Sequence, residues 1–440
     1  NTTGIQNVGV GFCSLTTNTT GASNVGIGPL ALASNTTADI NVAVGQSAMQ
    51  TNTTGTNNVG IGYQSLFANT TGGGNTAVGS KALCSNTTAS DNVAVGRDSL
   101  RLNTEGHSNV GIGRNALYDN TTGDQNIAIG CSALANNTTA SGNTGLGHNA
   151  LVAHTTGGCN TAVGCNAGGT MTTATNNVAM GRASMGNTTT GSENTALGAL
   201  SLQTNSEGAN NVAVGFCALK SNTTADNNTA IGYGSLKVNT TGCQNTGLGR
   251  TALQDNTTGC RNVSLGFDSL ANNTTGECNT GVGFDAGSTI TTGSNLTVLG
   301  SGAQPSSATA TNEITLGNSS VTSLRCADTS ISSLSDLRDK KNVEDIPHGL
   351  DFINALRPVK FDWNARDGSR IGKKDYGFIA QELDKVEETF GNREYTRLVH
   401  KDNPDKWEAD PMKTYPILIK AIQELSETNK DLKSRIEALE

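Results

Sequence analysis

Residues 24–40 read NVGIGPLALASNTTADI, and the next stretch, NVAVGQSAMQTNTTGTN, repeats the pattern. The last glycine of the opening phrase falls at Gly11, Gly28, Gly45, Gly62 and Gly79 and continues in steps of 17 to Gly300 and Gly317. That makes 19 units with no insertion. A period kept this strictly means that every unit is one turn of the same object, stacked on its neighbours.

Within a unit, Val and Ile of NVGIG alternate with small residues, the period-two pattern of a strand with one buried face. Leu or Met follows the glycine by four positions, at Leu15, Leu32, Met49, Leu66 and Leu83. A unit offers about three apolar side chains, too few for its own core, so stacking has to bury them as a continuous ladder. NTTG is turn chemistry: Gly and Asn accept positive φ, and Asn and Thr side chains bond local backbone. Two short strands and two turns per 17 residues make a narrow β-solenoid or β-roll. At a rise of ~4.8 Å per turn the array is a rod on the order of 90 Å long. The last two units, NLTVLG and NEITLG, lose the NTTG turn and read as the transition out of the array.

Composition separates this array from the C-terminal region. Of 66 charged residues among 440, 23 lie up to Gly317 and 43 beyond it, with both tryptophans, Trp363 and Trp407. The net charge of -8 argues against a nucleic-acid partner. No apolar run is long enough to insert in a membrane. The first residue is Asn rather than Met, so the chain reads as a fragment or a processed product. Ten irregularly spaced cysteines read as free thiols in a reducing compartment. Cys243 and Cys260, 17 apart, stack on neighbouring turns and come within disulfide range on oxidation. NTT is formally a glycosylation sequon, at Asn18, Asn35, Asn52 and Asn69, but its recurrence is explained by the turn. Thr arrays on flat solenoids can bind ice; here the Thr pair sits in a turn, with no Thr-x-Thr face. The array carries no calcium nonapeptide and no metal spacing, and the whole chain calls for no metal and no cofactor.

Beyond Gly317 the language changes. Val343, Ile346, Leu350, Ile353 and Leu356 have helical spacing, ended by Arg357-Pro358. VKFDW predicts a strand, DYGFIAQELDKVEETF a short strand leading into an amphipathic helix, and REYTRLVH a further strand. In the tail, Ile422, Leu425, Asn429, Leu432, Ile436 and Leu439 follow a/d heptad spacing, with a polar residue at one a position to fix register. About three heptads are marginal alone, so the helix needs partners.

Between the two regions stands SLSDLRDKKN, residues 333–342. Ser335-Asp336-Leu337-Arg338-Asp339-Lys340, with YGFIAQEL at Tyr376–Leu383 and the closing heptads, resembles the intramolecular chaperone auto-processing domain of phage tailspikes and tail fibres, a self-cleaving peptidase of the S74 type. The resemblance covers roughly residues 330–440, a quarter of the chain. It implies that Ser335 is the nucleophile and Lys340 the base of a dyad, that Asp336 and Arg338 support it, and that the cut falls between Leu334 and Ser335. The chemistry is coherent. A serine hydroxyl needs a base, and a lysine serves as one only where desolvation or nearby cations lower its pKa. Arg338 and Lys341 flank it in sequence. Ser332 and Ser333 are rival nucleophiles without the Asp and Lys spacing, and nothing places His348 or His400 near Ser335.

The repeats themselves resemble those of phage and viral tail fibres, and more loosely the head repeats of trimeric bacterial adhesins. The expected fold is mainly β: a trimeric β-solenoid shaft (1–317), a linker to the cleavage site (318–334), and a small α+β chaperone domain (335–440) ending in a coiled-coil helix from about 415. The expected function is a bacteriophage fibre or tailspike shaft whose chaperone drives trimerisation and folding, then releases itself. Expected partners are two further copies of the chain and a host-cell surface receptor or glycan. The expected location is the virion, after assembly in the host cytoplasm, with the released domain absent from the mature particle. The rival readings are an adhesive fibre with a non-cleaving trimerisation domain, a trimeric bacterial adhesin, which would need a terminal membrane anchor, and a membrane-tethered transcription factor, which would need a basic DNA-binding segment.

Overall fold

The computed structural model describes residues 1–321, 323–325, 335–364, 371–391, 393–401 and 407–439. Backbone contacts divide the chain into two units, Asn1–Leu316 and Gly317–Glu440.

The first unit is a β-solenoid. Nineteen three-residue strands, β1 (Val8–Val10) to β19 (Ile314–Leu316), recur every 17 residues and form one sheet. Each pairs in parallel with the strand one turn on, residue for residue: Val25 with Val42, Gly26 with Ala43, Ile27 with Val44. Each turn holds one strand, not the expected two. The segment around the Leu position stacks by backbone hydrogen bonds, as in Leu32 N–H to Ala48 O (3.1 Å). It is not a strand because Leu32 and Met49 lie at φ 50° and 48°. The left-handed region costs an L-residue of order 1–2 kcal/mol, and the stacking on both sides offsets that cost.

The strand faces are inverted relative to expectation. The middle residue points inward: Ala43, Ala94, Ala128 and Ala213 are fully buried, while the flanking Val and Ile are half-buried or exposed. The interior is filled from the opposite side by the Leu column, with Leu32, Met49, Leu66, Leu83, Leu100 and Leu117 fully buried. Beside a Leu the middle residue is no larger than Ala or Ser; the buried Val298 fits because Gly287 stands at the Leu position next to it. The recurrent glycine is also explained. Gly113 sits at φ +129°, and a Cβ there would lie 2.5 Å from Gly130 O of the next turn.

Two columns of buried asparagines run through the solenoid. In one, each Asn donates its amide to the Oδ1 of the Asn a turn earlier, as Asn120 to Asn103 (2.7 Å), and to a carbonyl of its own turn. In the other, running from Asn7 to Asn279, each Oδ1 accepts the next turn's backbone N–H, as Asn109 N–H to Asn92 (2.9 Å). Such ladders satisfy polar groups that the narrow core would otherwise strand. They also close the sequon question for the folded shaft, since Asn35, Asn52 and Asn69 are fully buried. The first column is interrupted at His154, Met171 and Thr188, where Asn137 Oδ1, His154 Nδ1 and Thr188 Oγ1 are left unpartnered.

The second unit is a small α+β module. β20 (Val359–Asp362) pairs antiparallel with β21 (Lys374–Gly377), and β22 (Val399–His400) with β23 (Glu408–Ala409). Among the described residues four helices accompany them: α1 (Leu350–Ala355), α2 (Ala380–Phe390), α3 (Arg393–Thr396) and α4 (Tyr415–Glu437). The first is shorter than the Val343–Leu356 periodicity predicts. Pro347 and Gly349 intervene, and Val343 is exposed. REYTRLVH gives a helical turn before its two-residue strand rather than one strand. Phe352, Leu398 and Ile417 form the core, with Ile353, Val386 and Phe390 packed around it.

Candidate active site

Asp336 creates the local geometry. Its side chain accepts the Arg338 backbone N–H (2.9 Å) and caps a single 3-10 turn, Leu337–Asp339. The turn closes with Lys340 N–H donating to Leu337 O (3.1 Å). One tight turn is what a five-residue offset needs to bring two side chains together, and Lys340 Nζ donates to Ser335 Oγ at 2.7 Å. The Arg338 guanidinium grips the Asp336 carboxylate with two bonds, Nε at 3.0 Å and NH2 at 2.6 Å. With the backbone N–H, that grip holds the Asp336 carboxyl below the ordinary carboxylate range. Asp336 and Arg338 thus shape the turn, while Ser335 and Lys340 face each other across it.

Ser335, Asp336, Arg338 and Lys340 are all exposed in the single chain. Leu334, Ser332 and Ser333 lie outside the described residues. His348 packs edge-on against Phe390, ring centroids 5.1 Å apart, and His400 lies on β22.

YGFIAQEL serves a different purpose from the serine string. Leu383 is buried, and Phe378, Ile379 and Glu382 line a groove against Ala355 and Leu356 at the end of α1. Arg357 pairs with Glu382 across its rim. Sequence reading missed the polar anchors further along α2. Glu387 is fully buried and accepts from Thr396 Oγ1 and from Leu398 N–H (2.6 Å). Asp384 holds Arg393 and Lys401. The available signal was an acidic residue on the apolar side of an amphipathic helix.

On α4, Ile417 and Ala421 face the module's core. The heptad residues do not: Ile422, Leu425, Leu432 and Ile436 are between 47 and 65 % exposed. Leu439 falls beyond the helix end.

A β-solenoid shaft followed by an α+β module with an unpartnered heptad helix fits a tail fibre or tailspike with a C-terminal chaperone. Residues 335–392 match the family model Peptidase_S74, described as chaperone of endosialidase. The match begins at Ser335 and ends at the close of α2. No curated protein and no solved structure gives a significant match to the chain.

Proposed function

We propose that the chain is a viral fibre or tailspike shaft, of bacteriophage type, whose C-terminal module assembles three copies and then cuts itself away between Leu334 and Ser335. The observation that carries this reading is the Ser335–Lys340 contact, on the first residues of the family match. Ser335 Oγ attacks the Leu334 carbonyl carbon as Lys340 Nζ takes the hydroxyl proton. The C–N bond to the Ser335 nitrogen breaks, and Lys340 returns the proton to that amine. An ester joins Leu334 to Ser335 Oγ, and water hydrolyses it to free the shaft. In the resting geometry the lysine donates to the serine, so attack requires the reverse: a neutral amine accepting the hydroxyl proton.

Exposure of the pair supplies the timing. A lysine base needs a desolvated setting, and the lone chain leaves both groups in water. On this reading association with further copies supplies the burial, so the cut comes after assembly. Long parallel arrays fold slowly and slip register. A terminal module that gathers copies sets the register, and its removal closes the way back, leaving the shaft kinetically locked. The mature shaft then belongs to the virion, where a host surface receptor or glycan is its external partner.

The test is to isolate the products of the full chain and sequence the N-terminus of the small fragment. It begins at Ser335 in the wild type and is absent in Ser335→Ala and Lys340→Ala. One full-length species in all three leaves the second reading, a structural fibre with a permanent trimerisation domain.

A further inference from the structure

The strand inversion leaves the shaft with a surface that water does not explain. The third residue of every strand, from Val10 to Leu316, is Val, Ile, Leu or Met, and the first is Val, Ile or Thr. Neither outward column carries a charge anywhere along the nineteen strands. Leu146, Met180 and Leu248 are 42, 42 and 46 % exposed. A solvated strand face carries polar residues in alternation, and a continuous apolar patch of this extent marks an interaction site.

We infer that these outward columns are the surface on which further copies of this chain pack, parallel and in register along the whole shaft. The inference rests on the fibre reading and specifies which face of the repeat the copies share.

Three observations select the occupant. The first is length and period: the columns repeat at every turn of the shaft, and the same columns of another copy match them turn for turn. Second, the shaft's charges lie off these columns, so identical acidic chains meet here without repulsion. The position just after the recurrent glycine borders the columns and in several turns carries an interface-type residue, as at Tyr63, Arg114, Phe216, Tyr233 and Phe284. The four aromatics of that set are exposed. Phe216 stacks on Tyr233 at 5.6 Å, and Arg250 lies over Tyr233 and Phe267 at 5.7 and 5.0 Å. Third, the exposed heptad seam of α4 can pair with the same seam of a second copy, a separate reason for copies to associate.

The chain carries its own probe. Of its five methionines, Met49, Met171 and Met185 are fully buried in the shaft, whereas Met180 stands in the outward column. The full chain, with Thr139→Met on an exposed turn as the reference, is treated with hydrogen peroxide. Sulfoxide at each methionine is read by peptide mass, and particle mass by light scattering. The expected result is a multi-chain particle in which Met180 oxidises at least about tenfold more slowly than the methionine introduced by Thr139→Met. Met180 oxidising as fast as that reference overturns the inference, in a multimer or a monomer. So does a protected Met180 in a monomeric particle, which means something other than another copy covers the face. The same digest reports cleavage before Ser335 separately, so failure of the protease reading and failure of this one are distinguishable.

Discussion

At the scale of single residues, the shaft is held by buried amides as much as by its leucines. Asn109 donates to Gly123 O (2.8 Å) and accepts from Asn126 N–H (2.9 Å). Asn109→Ala orphans both partners and should cost about 2–4 kcal/mol. Thr122→Ala, on the exposed turn, costs under about 0.5 kcal/mol; denaturant midpoints of the two variants check the contrast. His154 interrupts the other column, and burial pushes its imidazole below the ordinary histidine range, with its contact to Gly157 O opposing the shift. Above the unfolded value of about 6.5 neither state is charged and the stability is fully present. As pH falls below that value the unfolded chain takes the proton first, and stability is lost toward the folded value. His154→Asn offers Asn137 Oδ1 a donor again, so it raises stability and flattens this acid slope; equal slopes in both proteins would refute the assignment. The sequence displayed both asparagines of most units, but turn chemistry explained them sufficiently. Nothing in NTT reveals that its amide turns inward, because the same Asn suits a turn and a ladder.

At the scale of elements, period 17 was legible and the direction of the strand was not. Alternation in NVGIG marks two faces without saying which meets the core; the Leu column decides, by occupying the space a Val would need. The period also placed Cys243 beside Cys260, whose sulfurs stand 3.0 Å apart. Contact with Cys260, and then burial, hold the Cys243 thiol above its ordinary range, and joining the two thiols is a two-electron oxidation that an added disulfide reagent supplies. Mild disulfide exchange should link these two first, as a Cys243–Cys260 peptide that Cys243→Ser abolishes. A linkage elsewhere in the shaft would contradict the stacking. In the C-terminal module the heptad tail was readable because its spacing is regular. The first helix was overextended because Pro347 and Gly349 lie inside an otherwise helical pattern. The serine string was readable only as a string: that Asp336 caps the turn which joins Ser335 to Lys340 is a property of backbone geometry. Ile422→Asp, on the exposed face of α4, should leave the module folded, since Ile417 and Phe352 make its core, yet abolish both assembly and cleavage. Cleavage by a monomeric Ile422→Asp chain would separate the dyad from assembly.

For the whole molecule, the change in charge density near Gly317 announced two units, and the contacts divide the chain at Leu316. What lay beyond the sequence is why a shaft with a filled core needs a chaperone. The inferred packing face offers a reason: a shaft with an apolar face along nineteen turns would pair out of register until something sets the first contact. The proposed function therefore predicts an order of events: folding of the terminal module, assembly, burial of Ser335 and Lys340, then release. The measurement that tests this order most directly is native mass spectrometry during refolding of the full chain from denaturant. Full-length multimers should appear first, and the fragment 335–440 only from them, with Ser335→Ala stopping at the full-length multimer. Fragment released from monomers, or wild-type multimers that persist uncut, would contradict that order.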